Sequence, residues 1–130
     1  NAQATILANV DPWKPEEYEK ELLKGVAHAK GTGLPGDGRT VFLFSHSSLP
    51  PWQMTRVNTA FLKLGQLQQY DRIILVRDGK KYIYQVREKK EVWPDEVTYL
   101  TDTRRNQLIL MTCVPIGTAL RRLLVFADPA

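Results

Sequence analysis

Residues 72–87 read RIILVRDGKKYIYQVR, in which two apolar runs flank a short polar centre. Asp78-Gly79 is the dipeptide that a type I′ turn prefers, because both of its central residues need a positive φ. The stretch therefore predicts a β-hairpin with strands over 72–77 and 81–87. This hairpin is the clearest local feature of the sequence.

Further runs rich in Val, Ile, Leu, Tyr and Phe lie on both sides of the hairpin, separated by turn residues. Seven short strands of this kind are typical of a β-barrel or a β-sandwich. Two amphipathic segments, 15–24 and 53–64, predict short helices on the outside of the sheet. A glycine-rich stretch, 31–38, lacks the flanking strand and helix of a phosphate-binding loop, so we expect an irregular loop. The other predicted strands are 4–8, 40–45, 97–100, 107–113 and 122–127.

Length and composition indicate one ordinary globular domain over 1–130. Hydrophobic residues make up 43% and charged residues 25% of the chain, far from the composition of disordered proteins. The net charge is +4, but the basic residues are scattered in pairs, which indicates a solvated surface rather than a nucleic-acid site. No run approaches the roughly 18 to 20 apolar residues that a membrane span needs.

Cys113 is the only cysteine, which excludes an internal disulfide and a cysteine-rich zinc site. It ends the apolar run 108–113, and the run 114–117, which contains Pro115, stops the strand. A side chain at a strand end can reach a cleft, so Cys113 is a candidate nucleophile. The alternative is a small apolar side chain at the rim of the core, which is the commoner role of a lone cysteine.

A histidine and an arginine pair occupy comparable strand ends. His46 closely follows the apolar run 41–44, and an imidazole there can carry a proton near neutral pH. Arg121 and Arg122 open the last strand, and alternation allows only one of them to face a site. An inward guanidinium can donate hydrogen bonds to an oxyanion. The other histidine, His28, is expected to have a structural role as a cation at the end of the first helix.

These fragments, in this order, resemble the sortase family of cysteine transpeptidases. The run 110–113, Leu-Met-Thr-Cys, resembles the end of the family's Thr-Leu-x-Thr-Cys signature, and Arg-Leu-Leu-Val follows at 122–125. Phe-Ser-His at 44–46 resembles the strand end that carries the catalytic histidine. Three positions depart from the pattern: Ile109 replaces the first threonine, Ser45 a frequent glycine, and Tyr70 the glycine of a common Gly-Asp.

The resemblance implies a mainly β fold, a sortase-type closed β-barrel with two short peripheral helices. It assigns Cys113 as the nucleophile, His46 as the general acid/base and Arg122 as the stabiliser of the oxyanion, with Arg121 as the fallback. It also implies a set of positions close to a bound peptide, of which the last three fall in a long connecting loop. These positions are Phe44, Met111, Thr112, Val92, Trp93 and Pro94.

The implied reaction cuts a sorting signal of the Leu-Pro-x-Thr-Gly type and passes the acyl group to an amine of a wall precursor or pilin lysine. No cofactor is implied, and no compact carboxylate cluster indicates calcium. We expect an extracytoplasmic enzyme at the cell surface, with a membrane anchor and a further strand preceding this sequence in the full-length protein. Two alternatives stay open: a non-catalytic β-barrel that binds an anionic polymer, and a cysteine hydrolase without transfer.

Overall fold

A computed structural model of the chain describes residues 6–10, 26–29, 31–44, 64–77, 79–93, 104–114 and 121–130. These residues form seven strands and no long helix. The predicted helix at 15–24, nearly all of that at 53–64 and the predicted strand at 97–100 lie outside the described residues. The strands are β1 (Ile6–Val10), β2 (Val26–Ala29), β3 (Val41–Phe44), β4 (Arg72–Arg77), β5 (Lys80–Val92), β6 (Leu108–Val114) and β7 (Arg121–Pro129).

All seven strands belong to one curled sheet in the order β1-β2-β3-β6-β7-β5-β4. The pairs β1–β2 and β3–β6 are parallel, and the other four pairs are antiparallel. Within the described residues, no ladder joins the outermost strands β1 and β4. The mainly β, barrel-like architecture expected from the sequence is confirmed.

The predicted hairpin is confirmed as β4 and β5. Arg77 pairs with Lys80, so the connection has two residues, and Gly79 adopts a φ of 78°. A glycine meets this requirement without the steric cost that a Cβ would impose. The loop type and the alternation of the flanking residues together determine the register.

The sheet buries apolar side chains on both of its faces. The first core cluster lies on one face and comprises Val41, Leu43, Leu64, Leu75, Tyr84, Val86, Leu108, Leu110, Leu123, Val125 and Ala127. The second core cluster lies on the opposite face and comprises Ala27, Ala29, Phe42, Phe44, Val92, Ile109 and Leu124. Burial on both faces explains why the apolar runs at 41–44 and 108–110 are continuous rather than alternating.

Two expectations about the strands were wrong. Strand β5 extends to Val92, so Val92 is the last residue of a strand and not part of the connecting loop. Residues 26–29 form β2, so His28 lies in a strand and not at a helix end. In both places pairing with a neighbouring strand overrides a weak local signal, a polar run in β5 and an alanine-rich run in β2.

The loop between β2 and β3 is irregular, as expected, and is closed by its own hydrogen bonds. The Gly33 amide donates to the Thr40 carbonyl at 2.7 Å, and the Leu34 amide donates to the Asp37 carboxylate at 2.9 Å. Gly36 has a φ of 97°, and a Cβ there would lie 2.9 Å from the Tyr82 hydroxyl. The loop is therefore packed against β5 at a position where only glycine fits.

Candidate active site

The centre of the candidate site is a cross-strand pair of Cys113 and Arg122. Their Cα atoms are direct partners in the antiparallel β6–β7 ladder. On the other side of β7, the Cα partner of Arg122 is Val92, the last residue of β5. The sheet thus brings together three of the positions selected from the sequence, although they are 9 to 30 residues apart in the chain.

Arg122 lies on the face of the second core cluster. Leu124, two residues further along β7, belongs to that cluster and is only 1% exposed. Residues two apart in a strand share a face, so Arg122 shares this face with Leu124. Met111, the cross-strand partner of Leu124, packs against the same cluster. Position 122 therefore lies on the same face as Leu124 and Met111, which with Phe44 we call the apolar floor.

The ends of β3 and β6 meet at this floor. Phe44 is the last residue of β3, and its Cα partner in the parallel β3–β6 ladder is Met111. Phe44 is 4% exposed and packs in the second core cluster, where its ring centroid lies 6.1 Å from that of Phe42. Since β3 and β6 run in the same direction, β3 ends at the end of the sheet where Cys113 lies.

Arg121 occupies the opposite face of β7. Its Nη1 atom lies 2.9 Å from Oε2 of Glu91, and the two side chains are 44% and 47% exposed. Leu123, two residues after Arg121, belongs to the first core cluster and is the Cα partner of Glu91. The two adjacent arginines thus point in different directions, and Arg121 is engaged in an ion pair away from the face of Arg122.

Thr112 also belongs to the face opposite Arg122. Its Cα partner is Leu123, and its side chain is 3% exposed. Its hydroxyl oxygen is buried and has no hydrogen-bond partner among the described residues. A buried hydroxyl of this kind is destabilising, because it loses its bonds to water without replacement.

Two of the remaining positions selected from the sequence, Val92 and Trp93, lie at the end of β5. Trp93 directly follows Val92 and is 60% exposed, which leaves a large apolar surface beside the site. Val92 itself is 4% exposed and packs in the second core cluster. Pro94 and His46 lie outside the described residues.

His28 is a structural histidine, buried beneath the β2–β3 loop. Its Nε2 atom lies 2.7 Å from the Gly33 carbonyl and 3.1 Å from the Thr32 hydroxyl, which itself donates to the Ala29 carbonyl. A carbonyl can only accept, so Nε2 carries a proton. Burial lowers the pKa of His28 from its ordinary value of 6.5, although the bond to Gly33 acts in the opposite direction. A neutral imidazole tying the loop to β2 replaces the expected helix-end cation.

No pattern in the sequence predicted the ion pair of Glu91 with Arg121. Glu91 belongs to the polar run 87–91, which looks like a solvated segment, and it is 30 residues from Arg121 in the chain. Alternation predicted that one arginine would turn away from the site, but not what would hold it there. Across the described strands and loops, no group of three or more His, Cys, Asp or Glu side chains could hold a metal ion.

The chain is similar to sortases throughout its length. The family model of the sortase domain matches residues 1–130. Sortase A of Bacillus anthracis is 28% identical over 110 residues, which cover 85% of this chain and 49% of that protein. The chain spans 49% and 57% of the length of the two relatives matched in Bacillus species.

Solved structures give the same result for the fold. Streptococcus agalactiae sortase C1 superposes with a TM-score of 0.80 at 28% identity, covering 100% of this chain and 62% of that one. Sortase C of Clostridium perfringens, solved with the C-terminal cell wall sorting motif, has a TM-score of 0.76 at 27% identity. That match covers 96% of this chain and 62% of the other. The described segments contain no helix that is long and apolar enough to cross a membrane.

Proposed function

The chain belongs to the sortase family, and on that premise we propose that it is a cysteine transpeptidase with Cys113, His46 and Arg122 as its catalytic residues. The observation that carries this proposal is the pairing of Cys113 with Arg122 across β6 and β7. Cross-strand partners share a face of a sheet, so position 113 belongs to the face of Arg122. This arrangement suits a nucleophile next to an oxyanion donor.

The first half-reaction forms a thioester. The Cys113 thiolate attacks the threonine carbonyl of a Leu-Pro-x-Thr-Gly-like sorting signal, because a thiolate is a far stronger nucleophile than a thiol. The Arg122 guanidinium donates hydrogen bonds to the oxyanion of the tetrahedral intermediate. When the bond between threonine and glycine breaks, the His46 imidazolium gives its proton to the departing amine.

The second half-reaction transfers the acyl group. The amine of an acceptor attacks the thioester carbonyl, passes a proton to His46 and displaces the Cys113 thiolate. Aminolysis exceeds hydrolysis only where the amine is positioned and water is limited. The acceptor we propose is a wall-precursor amine or a pilin lysine, which suits an extracytoplasmic enzyme anchored to the membrane in its full-length form.

The apolar floor is the proposed binding surface for the sorting signal. Phe44 and Met111 are Cα partners where β3 and β6 meet, and we propose that Val92, Trp93 and Pro94 also contact the peptide. Thr112 contributes through its main chain, since its hydroxyl belongs to the other face. The Clostridium perfringens relative solved with a cell wall sorting motif supports a peptide of this class.

A peptide-library assay with and without an amine acceptor tests the proposal. We expect cleavage between threonine and glycine, and a ligated product when the amine is present. Cleavage without ligation would instead identify a hydrolase. Absence of cleavage, together with a Cys113 thiol that resists alkylation at neutral pH, would favour a non-catalytic binding module.

A further inference from the structure

The start of β7 places two like-charged side chains next to each other in the chain. Arg121 and Arg122 are both arginines, and they occupy opposite faces of β7. A local shift of one residue at this end of the ladder would exchange their faces and remove Arg122 from the site. The register at this point therefore decides which guanidinium serves the reaction.

The buried residues after the arginines hold part of this register. Leu123 is 8% exposed in the first core cluster, and Leu124 is 1% exposed in the second. The first residue of β7, Arg121, is exposed and does not pack in either core cluster. The ion pair of Arg121 with Glu91 ties this end to a neighbouring strand through a side chain.

The geometry of the ion pair allows it to hold the register at the start of β7. Glu91 is opposite Leu123, so the bond to Arg121 runs diagonally across the β5–β7 ladder to the first residue of β7. Diagonal neighbours on one face of a sheet are within reach of long side chains. The carboxylate thus holds Arg121 on the face of the first core cluster, while Arg122 remains on the face of Cys113.

We infer that Glu91 is a positioning residue for Arg122, acting through Arg121. This inference rests on the proposed function and adds a residue that does not touch the substrate. Both partners are nearly half exposed, and exposed ion pairs contribute little to the stability of a whole domain. Loss of Glu91 should therefore affect the placement of Arg122 more than the folding of the chain.

The first test uses turnover of a sorting-signal peptide by the Glu91→Gln variant of the full chain. We expect kcat to fall about two- to fivefold with KM changed less than about 1.5-fold, because loss of an exposed ion pair shifts the placement of Arg122 modestly and misplacement of an oxyanion donor acts on the transition state. Glu88→Gln, which removes another exposed glutamate of β5, is the matched control and should retain wild-type kcat. Wild-type kcat in Glu91→Gln would overturn the inference.

A charge-swapped pair, Glu91→Arg with Arg121→Glu, separates positioning from direct contact. If Glu91 acts through the ion pair, the double variant should recover kcat to within about 1.5-fold of wild type. If Glu91 contacted the peptide itself, the swap would be at least as damaging as the single change. Failure of the swap to recover any activity would contradict the inference.

Amide hydrogen exchange supplies a readout that does not depend on catalysis. In Glu91→Gln we expect the Arg121 and Arg122 amides to exchange about two- to fivefold faster, with the amides of Leu124 and Val125 unchanged. Unchanged exchange at both arginines would overturn the positioning role even if the enzyme is active. If exchange rises as expected but the wild type shows no Cys113-dependent turnover, the proposed function fails while the register effect stands.

Discussion

Arg122 is the Cα partner of Cys113 in the β6–β7 ladder, whereas its neighbour Arg121 forms an ion pair with Glu91 on the other face of the sheet. This relationship distinguishes two adjacent residues of the same type that the sequence alone leaves in competition. It also explains how a strand end can place only one of two adjacent arginines on the face of position 113.

The two arginines are expected to differ sharply when each is replaced by alanine. Arg122→Ala should lower kcat/KM by about 10²- to 10³-fold, the usual cost of losing one oxyanion donor. Arg121→Ala should cost no more than about tenfold, because it affects only the placement of Arg122. Steady-state kinetics on one sorting-signal peptide measures both, and the reverse ranking would show that Arg121 serves the site.

Stability is expected to depend on the protonation of His28. Its pKa in the folded chain is lower than 6.5, so below that pH the unfolded chain binds more protons. The contribution of His28 is therefore complete above pH 6.5 and is lost as the pH falls towards the folded pKa. Urea unfolding at pH 8 and pH 5.5 should show this loss in wild type.

The His28→Gln variant provides the comparison for that measurement. We expect its stability to change less between the two pH values, whatever its absolute level. An NMR titration of His28 in wild type covers the case in which the variant does not fold. A titration midpoint at or above 6.5 would contradict the expected sign.

Tyr70 is expected to carry backbone strain. It has a φ of 77°, in the left-handed region, and its side chain is 68% exposed. Its amide donates to the Val86 carbonyl at 2.9 Å, which holds this conformation in place. Tyr70→Gly should raise the free energy of unfolding by about 0.5–1 kcal/mol, because glycine adopts this φ without a Cβ clash. A loss of stability in chemical denaturation would contradict this explanation.

The buried hydroxyl of Thr112 leads to a further stability prediction. Valine has nearly the same shape and lacks the unsatisfied oxygen, so Thr112→Val should stabilise the fold by about 1 kcal/mol. Thr112→Ser, which keeps the hydroxyl and removes a methyl group, is the matched control and should be destabilising. Thermal unfolding of the three proteins gives the ranking, and a less stable valine variant would indicate that the hydroxyl has a partner.

The sequence was informative where structure is local or where alternation is strict. For the hairpin, β4 was predicted with its observed bounds and the start of β5 to within one residue, because Gly79 and the flanking apolar runs encode the turn directly. The pairing of Cys113 with Arg122 was anticipated only through resemblance to a family. No local pattern specifies which strands of a sheet become neighbours, because that depends on the whole topology.

The sequence was misleading where contacts between distant parts of the chain determine the extent of a strand. Residues 87–91 are polar, yet they extend β5 because β7 pairs with them along its length. Ala27 and Ala29 carry little preference for a strand, but both are fully buried in the second core cluster. The ion pair of Glu91 with Arg121 depends on that unexpected extension of β5, so it could not have been predicted without it.

Intact-protein mass spectrometry can show whether Cys113 carries an acyl group during the reaction. Incubation with a sorting-signal peptide, without an amine acceptor, should add the mass of the acyl fragment ending in threonine to the wild-type chain. The adduct should map to Cys113, disappear on addition of hydroxylamine and be absent from Cys113→Ala, which should neither be acylated nor cleave the peptide. Cleavage of the peptide by Cys113→Ala at the wild-type rate would contradict the assignment.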